Sequence, residues 1–247
     1  TLHSDLNILA FKQAWQQVFE RHAVLRTSFH WKGRQSPIQT VNKQAKLNWQ
    51  EIDWREQSNA IQKTQLEALL QADFTKGFSL NQAPLMRCTL VQIDKEIYQF
   101  IWSHHHIILD GCSLTIILTE VFSLYKASCN RQIIDLKQSL PFHHYISWLQ
   151  QQNNDDSEIF WKCYLKDFTS PSPIQLSKPL KNLPLAQQDD YAELQIQLSK
   201  PRTEALQSIC LQYQLSLNNL IQGAWALLLN RYTGKDDIIF GATVWQR

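Results

Sequence analysis

Two apolar, β-rich runs, Pro84 to Val91 and Ile97 to His104, are separated by the turn Asp94-Lys95-Glu96, the pattern of an antiparallel hairpin. The second run ends in three histidines, His104-His105-His106, and Asp110-Gly111 follows within a few residues. Ser113 then opens a helix to about Ala127, with Leu114, Ile117, Leu118, Val121, Phe122 and Tyr125 on one face. A hairpin that passes directly into an amphipathic helix makes the centre of the chain α/β and puts the histidines at the junction.

The flanking sequence extends this pattern. Ser4-Asp5 can cap a helix whose apolar side is Leu6, Phe11, Trp15, Val18 and Phe19, ending near His22. Val24 to Trp31 alternates as a strand, with Pro37 to Val41 as its hairpin partner, and Asp53 to Leu70 favours a helix. Helices are predicted over Phe142 to Gln151, Ser157 to Tyr164 and Pro201 to Tyr213. Another runs from Ser216 to Tyr232 and is closed by Gly234. Tyr191 to Leu198 and Asp237 to Trp245 read as strands, and Thr169-Ser170-Pro171-Ser172-Pro173 reads as a linker. The expected organisation is a first lobe over 1–168, a linker over 169–190 and the beginning of a second lobe over 191–247.

The 247 residues allow one large domain or two of ordinary size, and 44 % apolar residues suffice for a real core. A net charge of +2 without dense Lys/Arg runs argues against nucleic acid or an anionic membrane as partner. No unbroken apolar run spans a bilayer, and no signal peptide is visible. The five cysteines, Cys88, Cys112, Cys129, Cys163 and Cys210, are odd in number and scattered, which points to a reducing, cytoplasmic setting rather than a disulfide framework. The nine tryptophans are scattered too and read mostly as core, without a stacking ladder. The chain starts with Thr1 and stops at Arg247 just after a strand-like run, so it reads as cut from something longer.

Three readings of the histidines compete. Alternate His104 and His106 with a carboxylate nearby could ligate a metal, but three apolar residues before Asp110 match no zinc spacing. The histidines could be hydrogen-bonded structural residues. Or His106 could be a general base, because an imidazole titrates near neutral pH and can accept a proton from an amine or hydroxyl nucleophile. Asp110 would then set local geometry through an ion pair, and Gly111 would let the backbone turn sharply.

His105-His106-x-x-x-Asp110-Gly111 resembles the signature of the condensation domains of nonribosomal peptide synthetases, which is shared with the chloramphenicol-acetyltransferase-like superfamily. Arg21-His22-Ala23-Val24-Leu25-Arg26-Thr27-Ser28-Phe29 is similar to a second stretch of that family. So are Gly77-Phe78-Ser79-Leu80 with Ala83-Pro84-Leu85-Met86-Arg87, the stretch from Asn219 to Leu229, and Phe240-Gly241-Ala242-Thr243-Val244. The resemblance covers essentially the whole chain in the family's order. The family's first motif is missing, as is everything beyond Arg247. Cys112 stands where the family usually has Trp, Phe142 and His144 where it has Tyr and Asp, and Trp245-Gln246 where it has Ser-Gly.

The resemblance implies an α/β, two-layer chloramphenicol-acetyltransferase-like fold. It also implies amide-bond formation between a donor acyl or peptidyl thioester and an acceptor aminoacyl thioester. Both substrates hang on the phosphopantetheine of upstream and downstream peptidyl carrier domains, beside an adenylation domain; no cofactor or metal is bound directly. His106 is the implied catalytic residue, acting as a general base or holding the amine in line. His105, Asp110, Gly111, Arg26 and Arg247 are the implied structural residues of the site, with Arg247 favoured over Arg26 as the partner of Asp110. Tyr145, Trp148 and Trp225 are expected in the core. An epimerisation domain, a stand-alone acyltransferase of the superfamily, or an inactive truncated remnant are the alternatives.

Overall fold

The computed structural model describes residues 1–137, 139–168 and 194–243 and divides into two compact units, Thr1–Gln152 and Asn153–Arg247. The division falls ahead of Phe168, where the sequence pattern placed the end of the first lobe. The linker expected over 169–190, with its Pro-rich start, lies outside the described residues.

The first unit is built on a mixed sheet of order β1-β6-β5-β4, comprising β1 (Leu2–His3), β4 (Asn48–Asp53), β5 (Met86–Asp94) and β6 (Ile97–His104). The expected hairpin is present: β5 and β6 pair antiparallel from Asp94↔Ile97 to Met86↔His104, with an irregularity between Gln92 and Asp94. Strand β4 runs parallel to β5. It reads Asn-Trp-Gln-Glu-Ile-Asp, too polar to announce itself, and only its pairing with β5 makes it a strand. The helix that follows, α2 (Asn59–Lys76), therefore starts later than Asp53 and runs past Leu70. A separate two-stranded ribbon joins β2 (Thr27–His30) to β3 (Ile38–Val41). Its first strand is shorter than expected, because Ala23–Arg26 forms a 3-10 turn.

Helix α1 (Ile8–Arg21) is capped by Asn7, whose side-chain oxygen accepts the Ala10 N–H at 3.0 Å, rather than by Ser4-Asp5. Its buried side carries Phe11, Trp15, Val18 and Phe19, and α3 (Gly111–Cys129) packs beside it through Ile117 and Val121. Against the sheet, Phe11 meets Phe100 edge-on at 5.1 Å, and Trp15 meets Trp102 at 4.9 Å. Trp102 in turn contacts His104 at 4.9 Å. The tryptophans thus do form a short aromatic chain, and it ends at the histidine segment. Of the others, Trp54 is buried, whereas Trp31, Trp148, Trp161 and Trp225 are exposed. By length and apolar content α3 alone among the described helices could cross a membrane, although Ile117 and Val121 sit in the core of the first unit. The unit also contains α4 (Phe142–Gln150).

The second unit holds α5 (Asp155–Tyr164), α6 (Lys200–Gln212) and α7 (Leu217–Thr233). Helices α6 and α7 pack together, burying Cys210 and Leu229. Ser216 caps α7 by accepting the Asn219 N–H at 3.1 Å, and Gly234 ends it in the left-handed region at φ 66°. Neither 194–198 nor 237–243 forms a strand; the remaining residues of those two predicted strands lie outside the described residues.

Trp15 is fully buried, so Trp15→Ala is expected to destabilise the chain by about 3–5 kcal/mol through lost burial and the cavity left behind. Chemical denaturation followed by circular dichroism measures it.

Candidate active site

The site forms where β6 ends. His105 donates its backbone N–H to the Leu85 carbonyl at 3.0 Å, which continues the hairpin by one bond past Met86↔His104. The chain then turns: the Ile108 N–H reaches the His105 carbonyl at 3.1 Å, and the Ile107 N–H reaches His105 Nδ1 at 3.0 Å. A backbone N–H can only donate, so Nδ1 is the acceptor nitrogen and the ring proton of neutral His105 sits on Nε2. Ile108 and Leu109 plug into the core, and the turn between these anchors holds His106 out to solvent.

Asp110 is the N-cap of α3. Its Oδ1 accepts the Ser113 N–H at 2.9 Å and the Ser113 hydroxyl at 2.6 Å. These bonds hold the carboxyl below the usual aspartate range, with His106 adding a smaller attraction. Among the described residues Asp110 makes no ion pair with an arginine. Arg26 donates instead to the Asn42 carbonyl at 3.1 Å and the Glu20 carbonyl at 3.0 Å, tying the end of α1 to the segment after β3. Arg247 lies outside the described residues. Gly111 is the first residue of α3, with no positive φ. The sharp turn belongs to His105–Ile108, not to the glycine.

His106 opens on a cavity of about 600 Å³ together with His22, Val24, Phe29, Ile116 and Phe142. Ser113 and Asp110 line it as well, so the start of α3 forms one wall. Arg21 and His22, also in the lining, belong to a polar cluster that the sequence does not single out. His22 Nε2 is 2.7 Å from Glu120 Oε2, Arg21 Nε is 3.3 Å from the same oxygen, and the Arg21 guanidinium donates to the Lys137 carbonyl. The cluster joins the end of α1 to α3 and to the segment leading into α4. In the sequence Arg21-His22 stands out only as part of a family-like stretch; Glu120 gives no signal because its partner is 98 residues away.

His104 does not join this cavity. Burial against Trp102 holds its imidazole below the ordinary histidine range, and charge on His106 and His105 would lower it further. Tyr145, Trp148 and Trp225 do not enter the core either; Trp148 and Trp225 are exposed. The five cysteines form no disulfide, and among the described residues no three His, Cys, Asp or Glu side chains gather to hold a metal ion.

The condensation domain family model matches residues 1–247. The chain belongs to the condensation domain family of nonribosomal peptide synthetases. It is 42 % identical over 241 residues to a linear gramicidin synthase of Brevibacillus parabrevis, covering 96 % of this chain and 3 % of that protein. Bacitracin synthase 1 of Bacillus licheniformis is 33 % identical over 245 residues, covering 98 % of this chain and 4 % of that protein. This condensation domain chain thus spans only a few per cent of the length of such relatives. Among solved structures it superposes on the epimerization domain of the third module of tyrocidine synthetase B with a TM-score of 0.77 at 20 % identity, covering 95 % of this chain and 54 % of that one. SgcC5 from Streptomyces globisporus gives a TM-score of 0.74 at 19 % identity, covering 96 % and 53 %. These likenesses show the chloramphenicol-acetyltransferase-like α/β fold of the family.

Asp110→Asn, which keeps an acceptor for Ser113, is expected to leave thermal stability near wild type, whereas Asp110→Ala loses the cap and about 0.5–2 kcal/mol. Equal losses in both would mean that the negative charge of Asp110, not its cap, is what matters. His104 binds its proton less readily folded than unfolded, so its contribution to stability is complete above the ordinary histidine value of 6.5 and is lost as pH falls through the lower folded value. Denaturation midpoints at pH 7.5 and 5 are expected to differ less in His104→Phe than in wild type.

Proposed function

We propose that the chain is the part of a condensation domain that carries His106, and that the intact domain joins two carrier-bound substrates in the cytoplasm. The donor is an acyl or peptidyl thioester and the acceptor an aminoacyl thioester. Each hangs from the phosphopantetheine arm of an upstream or downstream peptidyl carrier domain, with an adenylation domain as neighbour. The observation that carries this reading is the exposed His106 imidazole, held on a cavity wall by a turn anchored on both sides.

In the reaction the acceptor α-amine nitrogen attacks the donor carbonyl carbon. The carbon–sulfur bond breaks and the electron pair leaves on sulfur. The amine gives up a proton to His106, which returns it to the departing thiolate, so the imidazole ends as it began. A thioester is already activated, so holding the amine in line contributes alongside proton transfer; effective-molarity effects reach about 7–11 kcal/mol. His105 and Asp110 serve the site by shaping the turn and starting α3.

An epimerisation reaction is the second reading, favoured by the superposition on a tyrocidine epimerization domain. There His106 would remove the α-proton of a single carrier-bound residue. In the intact parent synthetase with both carriers loaded, His106→Ala is expected to lower peptide formation by about 10²–10⁴-fold. Mass spectrometry of the carrier-bound products in deuterated water separates the readings: a new amide marks condensation, and solvent deuterium at the α-carbon without a new amide marks epimerisation. Unchanged turnover in His106→Ala would remove His106 from the chemistry.

A further inference from the structure

Four side chains outside the lining of the His106 cavity meet at the end of the β5–β6 hairpin. Arg87 of β5 stands opposite Ser103 of β6 in the register. Asp73, on the last turns of α2, joins them: its Oδ1 is ion-paired with Arg87 Nε, and its Oδ2 accepts the Ser103 hydroxyl at 2.5 Å. The same guanidinium donates to the Asp73 carbonyl at 2.6 Å and to the Gly77 carbonyl at 2.8 Å. Gly77 ends α2 at φ +53°, a left-handed conformation that favours glycine. The chain thereby doubles back and lays Phe78 under Arg87, with the guanidinium carbon 4.2 Å from the ring centroid.

Phe78 has a second contact, and it reaches the site. Its ring meets the His105 imidazole edge-on, with centroids 6.5 Å apart and planes at 82°. That imidazole accepts the Ile107 N–H and so sets the turn on which His106 stands. A rotation of the His105 ring would break that bond and let the turn relax. Backbone bonds hold the turn at its two ends, and the contacts to Phe78 and Ile107 bear on the ring itself.

We propose that Phe78, clamped by Arg87 and Asp73, is a positioning residue for His106 that acts through the orientation of the His105 ring. The proposal rests on the reading of His106 as the group that meets the substrate amine. It assigns to the Arg87 cluster a role in the site beyond joining α2 to the sheet.

The test combines a readout that needs no activity with one that does. In the 247-residue chain labelled at histidine, Phe78→Leu is expected to shift the ring resonances of both His105 and His106, whereas Phe78→Tyr, which keeps the ring, leaves them near wild type. In the intact synthetase, Phe78→Leu is expected to lower kcat about tenfold with KM for the loaded carriers changed less than about twofold, because misplacement of a reacting group acts on the chemical step. Phe78→Tyr is expected to restore kcat. Arg87→Lys keeps the charge beside Asp73 but gives up the planar stack and the forked bonds, and is expected to act in the same direction as Phe78→Leu. It serves where the leucine variant does not fold. Unmoved His106 resonances, an unchanged kcat, or equal losses in the leucine and tyrosine variants would each overturn the proposal. Shifted resonances beside a wild-type parent that makes no amide would instead overturn the condensation reading and leave the coupling of Phe78 to the turn standing.

Discussion

The last bonds of the β5–β6 hairpin are the constraint on which this molecule depends. Beyond Met86↔His104, the His105 N–H still reaches the Leu85 carbonyl, and there the ladder stops. Because the strand is held up to that residue, the direction in which the chain leaves it is defined. Because it is released immediately afterwards, the next residues can turn. Ile108 and Leu109 then drop into the core, and Asp110 starts α3. An exposed histidine between a strand end and a helix start is the outcome of these three local facts, with no strained backbone required.

The rest of the first unit supports that junction from two sides. On one side α1 and α3 press an aromatic layer onto the sheet, and the contacts run from Phe11 and Trp15 through Trp102 to His104. On the other side α2 reaches β5 and β6 through Asp73. The cavity lies beyond, where Arg21, His22 and Glu120 fasten the end of α1 to α3. Buried or half-buried ion pairs of this kind add little net stability, yet breaking one partner out is costly. Their value here is that they hold separate elements in one arrangement around an exposed imidazole.

Much of the fold was legible in the sequence where periodicity and caps speak locally. The hairpin, α1, α3 and α4 follow from apolar spacing, and α7 also from its cap Ser216 and its closing Gly234, whereas the caps of α1 and α3 are Asn7 and Asp110 rather than Ser4-Asp5 and Ser113. Strand β4 did not, since a polar six-residue segment becomes a strand only when β5 lies beside it. The segments expected as strands over 191–198 and 237–245 form none at 194–198 or 237–243. Of the two arginines expected to partner Asp110, Arg26 is bonded elsewhere and Arg247, the favoured one, lies outside the described residues. The nearby Ser113 N–H satisfies the carboxylate at a helix start, where an aspartate acts as a cap whatever arginines the chain carries.

Motif spacing and helical or strand period are properties of neighbouring residues, and they suffice to identify the family, the central hairpin and most of the helices, and to single out His106 within the histidine run. That Arg26 reaches the Asn42 carbonyl, and that Glu120, Asp73 and Phe78 stand near the site, was settled by the fold. Those contacts join residues far apart in the chain, such as Asp73 with Ser103 and His22 with Glu120, and no local pattern encodes which distant side chain will complete a hydrogen bond.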